Sequence, residues 1–248
     1  MRHDAAALRT RTYAEEAVRS TIARPDSSTP LVSFQAVWRH WGRGRKRWAV
    51  LRDINLAVPA GTAISIAGGN GAGKTTLLRI ATGVLEADSG SVAIEGITAN
   101  QNWREYHRRI GFLSAGDRGL YARLTVRRHL DYWASLAIMT RADRKPAVDE
   151  TIDRFGLSEL ANRRADRLSQ GQRQRLRLAL SMLHEPKVLF LDEPRNSLDA
   201  DGLEVLTASV RNLLRRGGSL VWCSPFGEDQ PMTFDRNLVI EGGELRPA

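Results

Sequence analysis

Short apolar runs alternate with amphipathic segments along most of the chain, and this pattern predicts an α/β protein. Strands are expected where roughly four to eight residues alternate or stay apolar between turn residues. The predicted strands cover residues 31–37, 48–58, 63–67, 91–95, 110–113, 187–191, 219–223 and 237–240. Because several later runs are apolar throughout, we expect them in a parallel sheet covered on both faces, beside an antiparallel β subdomain.

Helical periodicity is clearest from Thr125 to about Arg167, where apolar residues recur at the spacing of one helix face. The residues expected on that face are Leu130, Trp133, Ala134, Leu136 and Ala137. Two further helices are predicted, one that opens at Thr75 and Thr76 and one over residues 202–216. We interpret the long segment as the centre of an inserted α-helical subdomain, at about residues 115–185.

The beginning of the chain is predicted to lie apart from the domain. Its first thirty residues end in a run of Pro, Asp, Ser and Thr residues that is typical of a linker. We therefore expect a flexible N-terminal extension at residues 1–30 and one domain over residues 31–248.

The composition is that of a globular protein with a full core, since the chain has 248 residues, 42% apolar and 26% charged. No run of about 18 apolar residues occurs, so neither a membrane span nor a secretory signal is expected. Cys223 is the single cysteine, which excludes an internal disulfide and is typical of a reducing compartment.

A net charge of +9 favours contact with nucleic acid, anionic lipid or an acidic partner, without choosing among them. Basic residues are densest from Arg39 to Arg47, with Trp38, Trp41 and Trp48 among or beside them. One interpretation is a nucleic-acid surface. We favour a basic loop in which one tryptophan stacks on a bound ligand, and expect no direct contact with nucleic acid.

A phosphate-binding motif follows the third predicted strand. Residues 68–76 read GGNGAGKTT, which matches G-x-x-x-x-G-K-[ST] in full and predicts a P-loop NTPase core. The backbone N–H groups of such a loop and the helix N-terminus behind it bind phosphates. Lys74 is expected to bridge the β- and γ-phosphates, and the Thr75 hydroxyl to ligate Mg²⁺. The residues expected to bind the nucleotide here are Gly68, Asn70, Gly71, Ala72, Gly73, Lys74, Thr75 and Thr76.

Two acidic residues end a later apolar strand, in the sequence VLFLDE of residues 188–193. Because the C-terminal ends of parallel strands line the ligand crevice, Asp192 and Glu193 are expected beside the phosphates. Asp192 would bind Mg²⁺, directly or through a water, and Glu193 would orient the attacking water and accept its proton. The alternative is an acidic strand end that only meets solvent.

Residues 168–172 read LSQGQ and lie between the glycine loop and the acidic strand. In this order and at these gaps, the chain resembles ATP-binding subunits of ATP-binding cassette (ABC) transporters, whose signature is LSGGQ. The resemblance covers residues 31 to about 245. It implies a head-to-tail dimer, in which each ATP lies between the glycine loop of one cassette and the signature of the other. Ser169, Gly171 and Gln172 would contact that ATP, since Ser169 and the Gly171 N–H are expected just before a helix.

The same resemblance assigns two further segments. Residues 196–199, with the sequence NSLD, resemble the D-loop that crosses the dimer seam. Trp41 is similar in position to the aromatic residue that stacks on adenine, and Trp38 and Trp48 are the fallback choices.

Two residues depart from the family pattern. Ala115 lies nearest to the position of a glutamine that meets Mg²⁺ and senses the membrane partner, and a methyl group cannot ligate a metal. Either Asp117 substitutes through a water, or the loop is built differently. Pro225 stands where the family has a switch histidine, and it has no donor for the γ-phosphate or Glu193. Since one lost donor typically costs about a hundredfold in rate, we expect ATP binding with weak intrinsic turnover.

The resemblance implies an ATP-binding and ATP-hydrolysing subunit of a membrane transporter, with ATP and Mg²⁺ as cofactors and a homodimer or heterodimer of cassettes. A transmembrane permease subunit would supply the pore and insert a helix into a groove lined by residues 114–123. The chain would lie peripherally on the cytoplasmic face of the inner or plasma membrane. The segment GDRGLYARLTVRRHLDYW resembles exporter-type cassettes, so we expect export of a glycan, glycolipid or drug-like cargo.

Other functions stay open. A soluble cassette ATPase acting on nucleic acid or ribosomes fits the positive charge, but such relatives have tandem cassettes or a long coiled coil. A degenerate, slowly hydrolysing cassette with a regulatory role in a heterodimeric transporter fits Ala115 and Pro225. The signature argues against a phosphotransferase.

Overall fold

The structure is a computed structural model that describes residues 29–116, 119–137, 139–196 and 198–248. Nearly all of the extension predicted at residues 1–30 lies outside these ranges, as does Asp117. The described part of the chain has a six-stranded sheet, a four-stranded sheet and helices. This arrangement confirms the predicted α/β class with a P-loop core, an antiparallel sheet and added helices.

Strands and helices follow each other in the order that the hydrophobic pattern predicts. The strands are β1 (Val32–Trp41), β2 (Trp48–Val58), β3 (Ala63–Ala67), β4 (Ser89–Ile94), β5 (Ile97–Thr98), β6 (Ile110–Leu113), β7 (Val188–Asp192), β8 (Ser219–Ser224), β9 (Arg236–Glu241) and β10 (Glu244–Pro247). The helices are α1 (Lys74–Ala81), α2 (Trp103–Arg108), α3 (Val126–Leu136), α4 (Arg141–Arg154), α5 (Gln170–Met182) and α6 (Ala200–Arg215). Every predicted strand is present, whereas the short β5, β10 and α2 were not predicted. Within the described ranges, no helix is both long and apolar enough to cross a membrane.

Two sheets of different construction make up the fold. The parallel sheet has the order β10-β9-β3-β8-β7-β6, in which only β10 runs antiparallel to its neighbour. The antiparallel sheet has the order β2-β1-β4-β5. The loops after β3, β6, β7 and β8 therefore leave the parallel sheet at the same edge, which is where ligands bind in such folds.

Alternate residues of β7 pack on opposite faces of the parallel sheet. Val188 and Phe190 join one core with α1 and the antiparallel sheet, whereas Leu189 and Leu191 join a second core with α3, α4, α5 and α6. Both faces are therefore covered, which explains why this strand is apolar throughout. A polar residue at any of these four positions would lie buried without a partner and would destabilise the fold.

The segment from Thr125 to Arg167 is not helical throughout, so this prediction was wrong. α3 ends at Leu136, and α4 begins at Arg141 after the N-cap residue Thr140. After α4 the chain continues through loop and two 3₁₀ turns, Ser158–Leu160 and Ala165–Arg167.

The face predicted for this segment is also only partly correct. Leu130 and Ala134 are buried in the second core, and Trp133 packs against it. Leu136 is 57% exposed, and Ala137 lies beyond the end of α3. The spacing of apolar residues indicates which of them can share one helix face, but packing against the parallel sheet decides where the helix ends.

Candidate functional site

The glycine loop after β3 has the backbone geometry that its sequence predicts. Gly73 has φ +112° and is the N-cap of α1, and a Cβ atom there would lie 2.9 Å from the Val50 carbonyl oxygen. A Cβ atom at Gly68 would lie 2.9 Å from the Ile240 carbonyl oxygen. Both positions therefore require glycine, because β2 and β9 approach the loop closely.

Lys74 is the first residue of α1, and its side chain is buried inside the glycine loop. Its Nζ donates to the carbonyl oxygens of Gly68 over 2.7 Å and Gly69 over 3.2 Å, and lies 3.6 Å from Glu193 Oε1. Charge-assisted hydrogen bonds to phosphate are stronger than bonds to neutral carbonyls. The ammonium group can therefore exchange these carbonyl partners for phosphate oxygens.

Thr75 and Asp192 form the part of the site that fits a metal ion. Thr75 Oγ1 donates to Asp192 Oδ2 over 2.8 Å, and the fully buried Asp192 has no hydrogen-bonding partner for Oδ1 among the described residues. Burial raises the pKa of Asp192 and the Glu193 charge adds to this, while the Thr75 bond, the Ala115 amide and Lys74 oppose it. The hydroxyl oxygen and the unpartnered carboxylate oxygen lie side by side as two possible ligands for Mg²⁺, which prefers oxygen ligands.

Glu193 follows β7 directly, and both of its carboxylate oxygens have partners. Its backbone φ of +50° lies in the left-handed region, and its N–H donates to the Cys223 carbonyl oxygen over 2.9 Å. Oε1 lies 3.6 Å from Lys74 Nζ, and Oε2 accepts a 3.0 Å bond from Asn196 Nδ2. Strained backbone of this kind concentrates at functional sites. The role of Glu193 as general base stays a prediction.

An open cavity of about 380 Å³ joins the glycine loop to two tryptophans. Its lining consists of Trp41, Trp48, Val50, residues 69–76 and Glu193. Trp41 and Trp48 are directly opposed on β1 and β2, and the Arg39 guanidinium lies 4.7 Å from the centre of the Trp41 ring. Trp38 stacks on His40 and lines a different cavity. The structure therefore brings Trp41 and the fallback Trp48, but not Trp38, to the phosphate loop.

The basic segment beside these tryptophans is tied to Asp88. The Asp88 carboxylate accepts hydrogen bonds from Arg39 over 3.0 Å, from the His40 N–H over 2.7 Å and from Arg47 over 3.4 Å. The His40 side chain contributes most to holding the pKa of Asp88 below its usual range, and the two arginines act in the same direction. Two arginines of the segment are therefore paired within the chain. The expected absence of nucleic-acid contact stays a prediction.

The LSQGQ segment forms the N-terminus of α5. Ser169 is the N-cap: its Oγ accepts from the Gln172 N–H over 3.2 Å, and Gln172 Oε1 accepts from the Ser169 N–H over 3.0 Å. Gly171 lies within the first turn, whereas the sequence predicts it just before the helix. These three residues do not line the cavity beside the glycine loop of their own chain. Their contact with ATP stays a prediction.

The two departures from the family pattern lie in loops at the same sheet edge. Ala115, in the loop after β6, is exposed, and its backbone amide lowers the pKa of Asp192. Pro225 directly follows Ser224, whose carbonyl oxygen accepts from the Gly68 N–H over 3.2 Å. Pro225 therefore lies beside the start of the glycine loop.

Three residues that the sequence analysis did not single out lie in, or contact, the loops at this edge of the sheet. Arg177, buried on α5, donates to the loop after β6, and Gln174 Nε2 donates to the Pro194 carbonyl oxygen over 3.3 Å. Glu228 follows β8; burial and the Glu193 charge raise its pKa, and its Oε2 has no partner among the described residues. No motif marks them, and the one signal in the sequence is a charged residue, Arg177, within an apolar stretch of α5.

Comparisons with known proteins identify the relatives of this chain. The family profile described as ABC transporter matches residues 51–196. Over 195 residues, the chain is 31% identical to the ABC transporter ATP-binding protein NatA of Bacillus subtilis (strain 168), covering 79% of each chain. It is 32% identical to the sn-glycerol-3-phosphate import ATP-binding protein UgpC 1 of Rhizobium johnstonii, over 86% of this chain and 57% of that protein. It is also 32% identical to the daunorubicin resistance ATP-binding protein DrrA3 of Streptomyces coeruleorubidus, over 79% of this chain and 61% of that one.

A solved structure shares the fold. It is the dimeric structure of a post-hydrolysis state of the ATP-binding cassette MJ0796 bound to ADP and Pi, with a TM-score of 0.76 and 23% sequence identity. The match covers 87% of this chain and 98% of that one.

Proposed function

Because the chain belongs to the ABC transporter family, we propose that it is the subunit that binds and hydrolyses ATP to power a membrane transporter. The observation that carries this proposal is the convergence of Lys74, Thr75, Asp192 and Glu193. Thr75 is bonded to Asp192 over 2.8 Å, and Lys74 lies 3.6 Å from Glu193, at the ligand-binding edge of the parallel sheet. A phosphate cradle, a metal-ligand pair and a candidate base are therefore next to each other.

The chain's own residues supply the groups that ATP hydrolysis needs. Mg²⁺, held by Thr75 and Asp192, would neutralise charge on the β- and γ-phosphates. Lys74 binds the same phosphates, and the loop N–H groups and the positive end of α1 orient them. Glu193 orients the attacking water and accepts its proton, while Asn196 holds the second carboxylate oxygen over 3.0 Å.

A head-to-tail dimer of cassettes completes the site in this proposal. Ser169, Gly171 and Gln172 line no part of the cavity beside their own glycine loop, which supports their use by a second cassette. Ser169 is exposed, and its hydroxyl oxygen accepts the Gln172 N–H, so its hydrogen is available to a phosphate. The positive end of α5 favours the same anion. The second cassette is either an identical chain or a related one.

The partner that we propose is a transmembrane permease subunit, which holds the chain at the cytoplasmic face of the inner or plasma membrane. An aromatic patch on α3 and the loop before it supports this: Tyr121 is 53% exposed, Tyr132 42% and Leu136 57%. The ring centres of Tyr121 and Tyr132 are 5.8 Å apart, and that of Trp133 lies 5.5 Å from Tyr132. Exposed apolar patches typically mark interaction sites.

We propose export as the direction of transport, with a glycan, glycolipid or drug-like cargo. The support is the resemblance of residues 116–133 to exporter-type cassettes. The names of the relatives point both ways, since DrrA3 is named for daunorubicin resistance and UgpC 1 for import.

We also propose that intrinsic turnover is low. The side chain of Ala115 has no atom that can ligate a metal, and Pro225 has no hydrogen-bond donor. The glutamine and histidine side chains that would act on the γ-phosphate side are therefore missing. The same observation favours a second candidate, a slowly hydrolysing cassette that pairs with a competent one in a heterodimeric transporter.

A calorimetric titration of the purified chain with magnesium ATP tests the proposed function. We expect saturable binding, and we expect Lys74→Ala to weaken it about a hundredfold, because charged hydrogen bonds contribute roughly 1.5–3 kcal/mol each. Lys187→Ala, at a lysine 56% exposed on its side chain, is the control and should bind ATP as wild type does. No association at millimolar ATP, or an unchanged affinity in Lys74→Ala, would contradict the proposal.

A pull-down of the tagged chain from detergent-solubilised membranes tests the partner. We expect a polytopic membrane protein to co-purify. Co-purification with RNA or DNA in its place would favour the soluble cassette ATPase.

A further inference from the structure

A buried arginine of α5 holds the loop after β6. Arg177 is 6% exposed, and its guanidinium donates to the Ser114 carbonyl oxygen over 2.7 Å and to the Ser114 hydroxyl over 3.1 Å. It also donates to the Gly116 carbonyl oxygen and, over 2.6 Å, to Gln174 Oε1. Buried arginines require compensating partners. This set of bonds therefore fixes residues 114–116 on α5.

The same stretch of α5 also holds the loop after β7. Gln174 Nε2 donates over 3.3 Å to the carbonyl oxygen of Pro194, the residue directly after Glu193. Arg175 donates to both carboxylate oxygens of Asp199, over 3.1 and 2.9 Å. Residues 174–177 thus contact both loops that flank the candidate catalytic residues, so a shift of α5 would displace both loops.

Ala115 lies between the two residues whose carbonyl oxygens Arg177 holds. Its methyl group cannot ligate a metal. β6 and β7 pair in register up to Leu113 and Leu191, so the loop that contains Ala115 begins beside Asp192, the next residue of β7. The guanidinium therefore sets the position of this loop relative to the buried Asp192.

We propose that Arg177 is a positioning residue that couples α5 to the metal side of the nucleotide site, by holding residues 114–116 beside Asp192. Lysine is a poor substitute, because its ammonium lacks the planar fork that spans two carbonyl oxygens. The inference rests on the proposed function, since it requires that Asp192 binds the metal of a nucleotide complex.

Electron paramagnetic resonance of Mn²⁺, a stand-in for Mg²⁺, tests the inference in the ADP complex of the full chain. In Arg177→Lys and Arg177→Ala we expect about tenfold weaker Mn²⁺ binding and nearly unchanged ADP affinity in EDTA, as is typical when support behind a metal ligand is lost. Arg127→Lys is the control, because Arg127 pairs with Asp149 on the surface of the same helical region. It should change neither affinity.

Ala115→Gln in the Arg177→Lys background separates positioning from a purely structural role. The glutamine carbonyl can ligate the metal directly, so we expect Mn²⁺ affinity to return to near the wild-type value. Unchanged Mn²⁺ binding in Arg177→Lys overturns the inference. So does a parallel loss of ADP affinity in EDTA that glutamine does not rescue. If Arg177→Ala does not fold, Arg177→Lys alone decides. Absence of ADP binding by wild type overturns the proposed function as well, whereas wild-type behaviour of the variants overturns only this inference.

Discussion

The two halves of the candidate site differ in how much of the family pattern they keep. The binding half, residues 68–76 with Asp192 and Glu193, has each expected residue, and these residues contact one another directly. The sensing half, the loops after β6 and β8, has Ala115 and Pro225 where the resemblance leads us to expect a glutamine and a histidine. Affinity for the nucleotide and the rate of its hydrolysis are therefore expected to be separable in this chain.

In the sensing half, described residues of both loops are hydrogen-bonded to the rest of the chain. The loop after β6 is bonded to Arg177. In the loop after β8, the Asp229 carbonyl oxygen accepts from Arg195, and Gln230 donates to Ser65 Oγ over 3.2 Å. The difference that single substitutions can test is therefore the one in chemical groups, at Ala115 and Pro225.

The largest effect is expected at Glu193, in the binding half. Glu193→Gln keeps the shape of the side chain and its bond to Asn196 but removes the base, and a positioned base typically contributes about 10²- to 10⁴-fold. We expect phosphate release to fall by about that factor in a coupled assay. ATP affinity should be kept or should rise, because the variant removes a negative charge 3.6 Å from Lys74 Nζ.

Glu228→Gln is the matched control for this variant. Glu228 is the neighbouring carboxylate whose pKa burial raises, and it is bonded to neither Lys74 nor Asn196 among the described contacts. We expect it to keep most of the activity. Equal losses in both variants, or unchanged hydrolysis in Glu193→Gln, would show that Glu193 is not the base.

The next largest effect is a gain in the sensing half. Pro225→His adds a donor beside the start of the glycine loop, and one positioned donor typically changes the rate by about a hundredfold. We expect hydrolysis to rise by up to that factor, with little change in ATP affinity. Pro225→Ala removes the ring without adding a donor and should stay slow. A rise of equal size in both variants would mean that loop rigidity, not the missing donor, limits turnover.

The sequence predicts the binding half well because its chemistry is local. Residues 68–76 are consecutive, and Asp192 and Glu193 end a strand that its apolar run marks plainly. The contacts of the sensing half join distant residues: Arg177 is 63 positions from Ser114, and Gln230 is 165 from Ser65. No local pattern reports such pairs. For the same reason periodicity missed the end of α3, which packing against the parallel sheet determines.

A smaller effect should identify the tryptophan that stacks on the adenine ring of ATP. A base stacked on an aromatic ring contributes about 1–3 kcal/mol, so we expect Trp41→Ala to weaken ATP binding about tenfold in a calorimetric titration. Binding of inorganic triphosphate, which has no base, should not change. Trp38→Ala is the control, since Trp38 lines another cavity. A larger loss in Trp48→Ala than in Trp41→Ala would transfer the stacking role to Trp48.

The smallest effect concerns His129, which lies outside both halves and beneath the aromatic patch. His129 is fully buried; its Nε2 accepts the Tyr121 N–H over 2.9 Å, so the proton lies on Nδ1, 3.0 Å from the Thr125 carbonyl oxygen. Burial lowers the pKa of His129, and the Thr125 bond opposes this only in part. The unfolded chain therefore binds a proton on this residue before the folded chain does.

Because the unfolded state takes up more protons, stability should fall as the pH drops below about 6.5, the unperturbed value for histidine. We expect the melting temperature to fall by a few degrees between pH 7.5 and pH 5.5, and His129→Gln, which keeps an acceptor for the Tyr121 N–H, to remove part of that fall. His184 is also buried with a lowered pKa, so His184→Gln should remove a further part. At pH 7.5 neither variant should change ATP affinity, because neither residue lines the cavity beside the glycine loop. A change in ATP affinity would mean that these buried histidines, which lie outside both halves, are nevertheless coupled to the binding half.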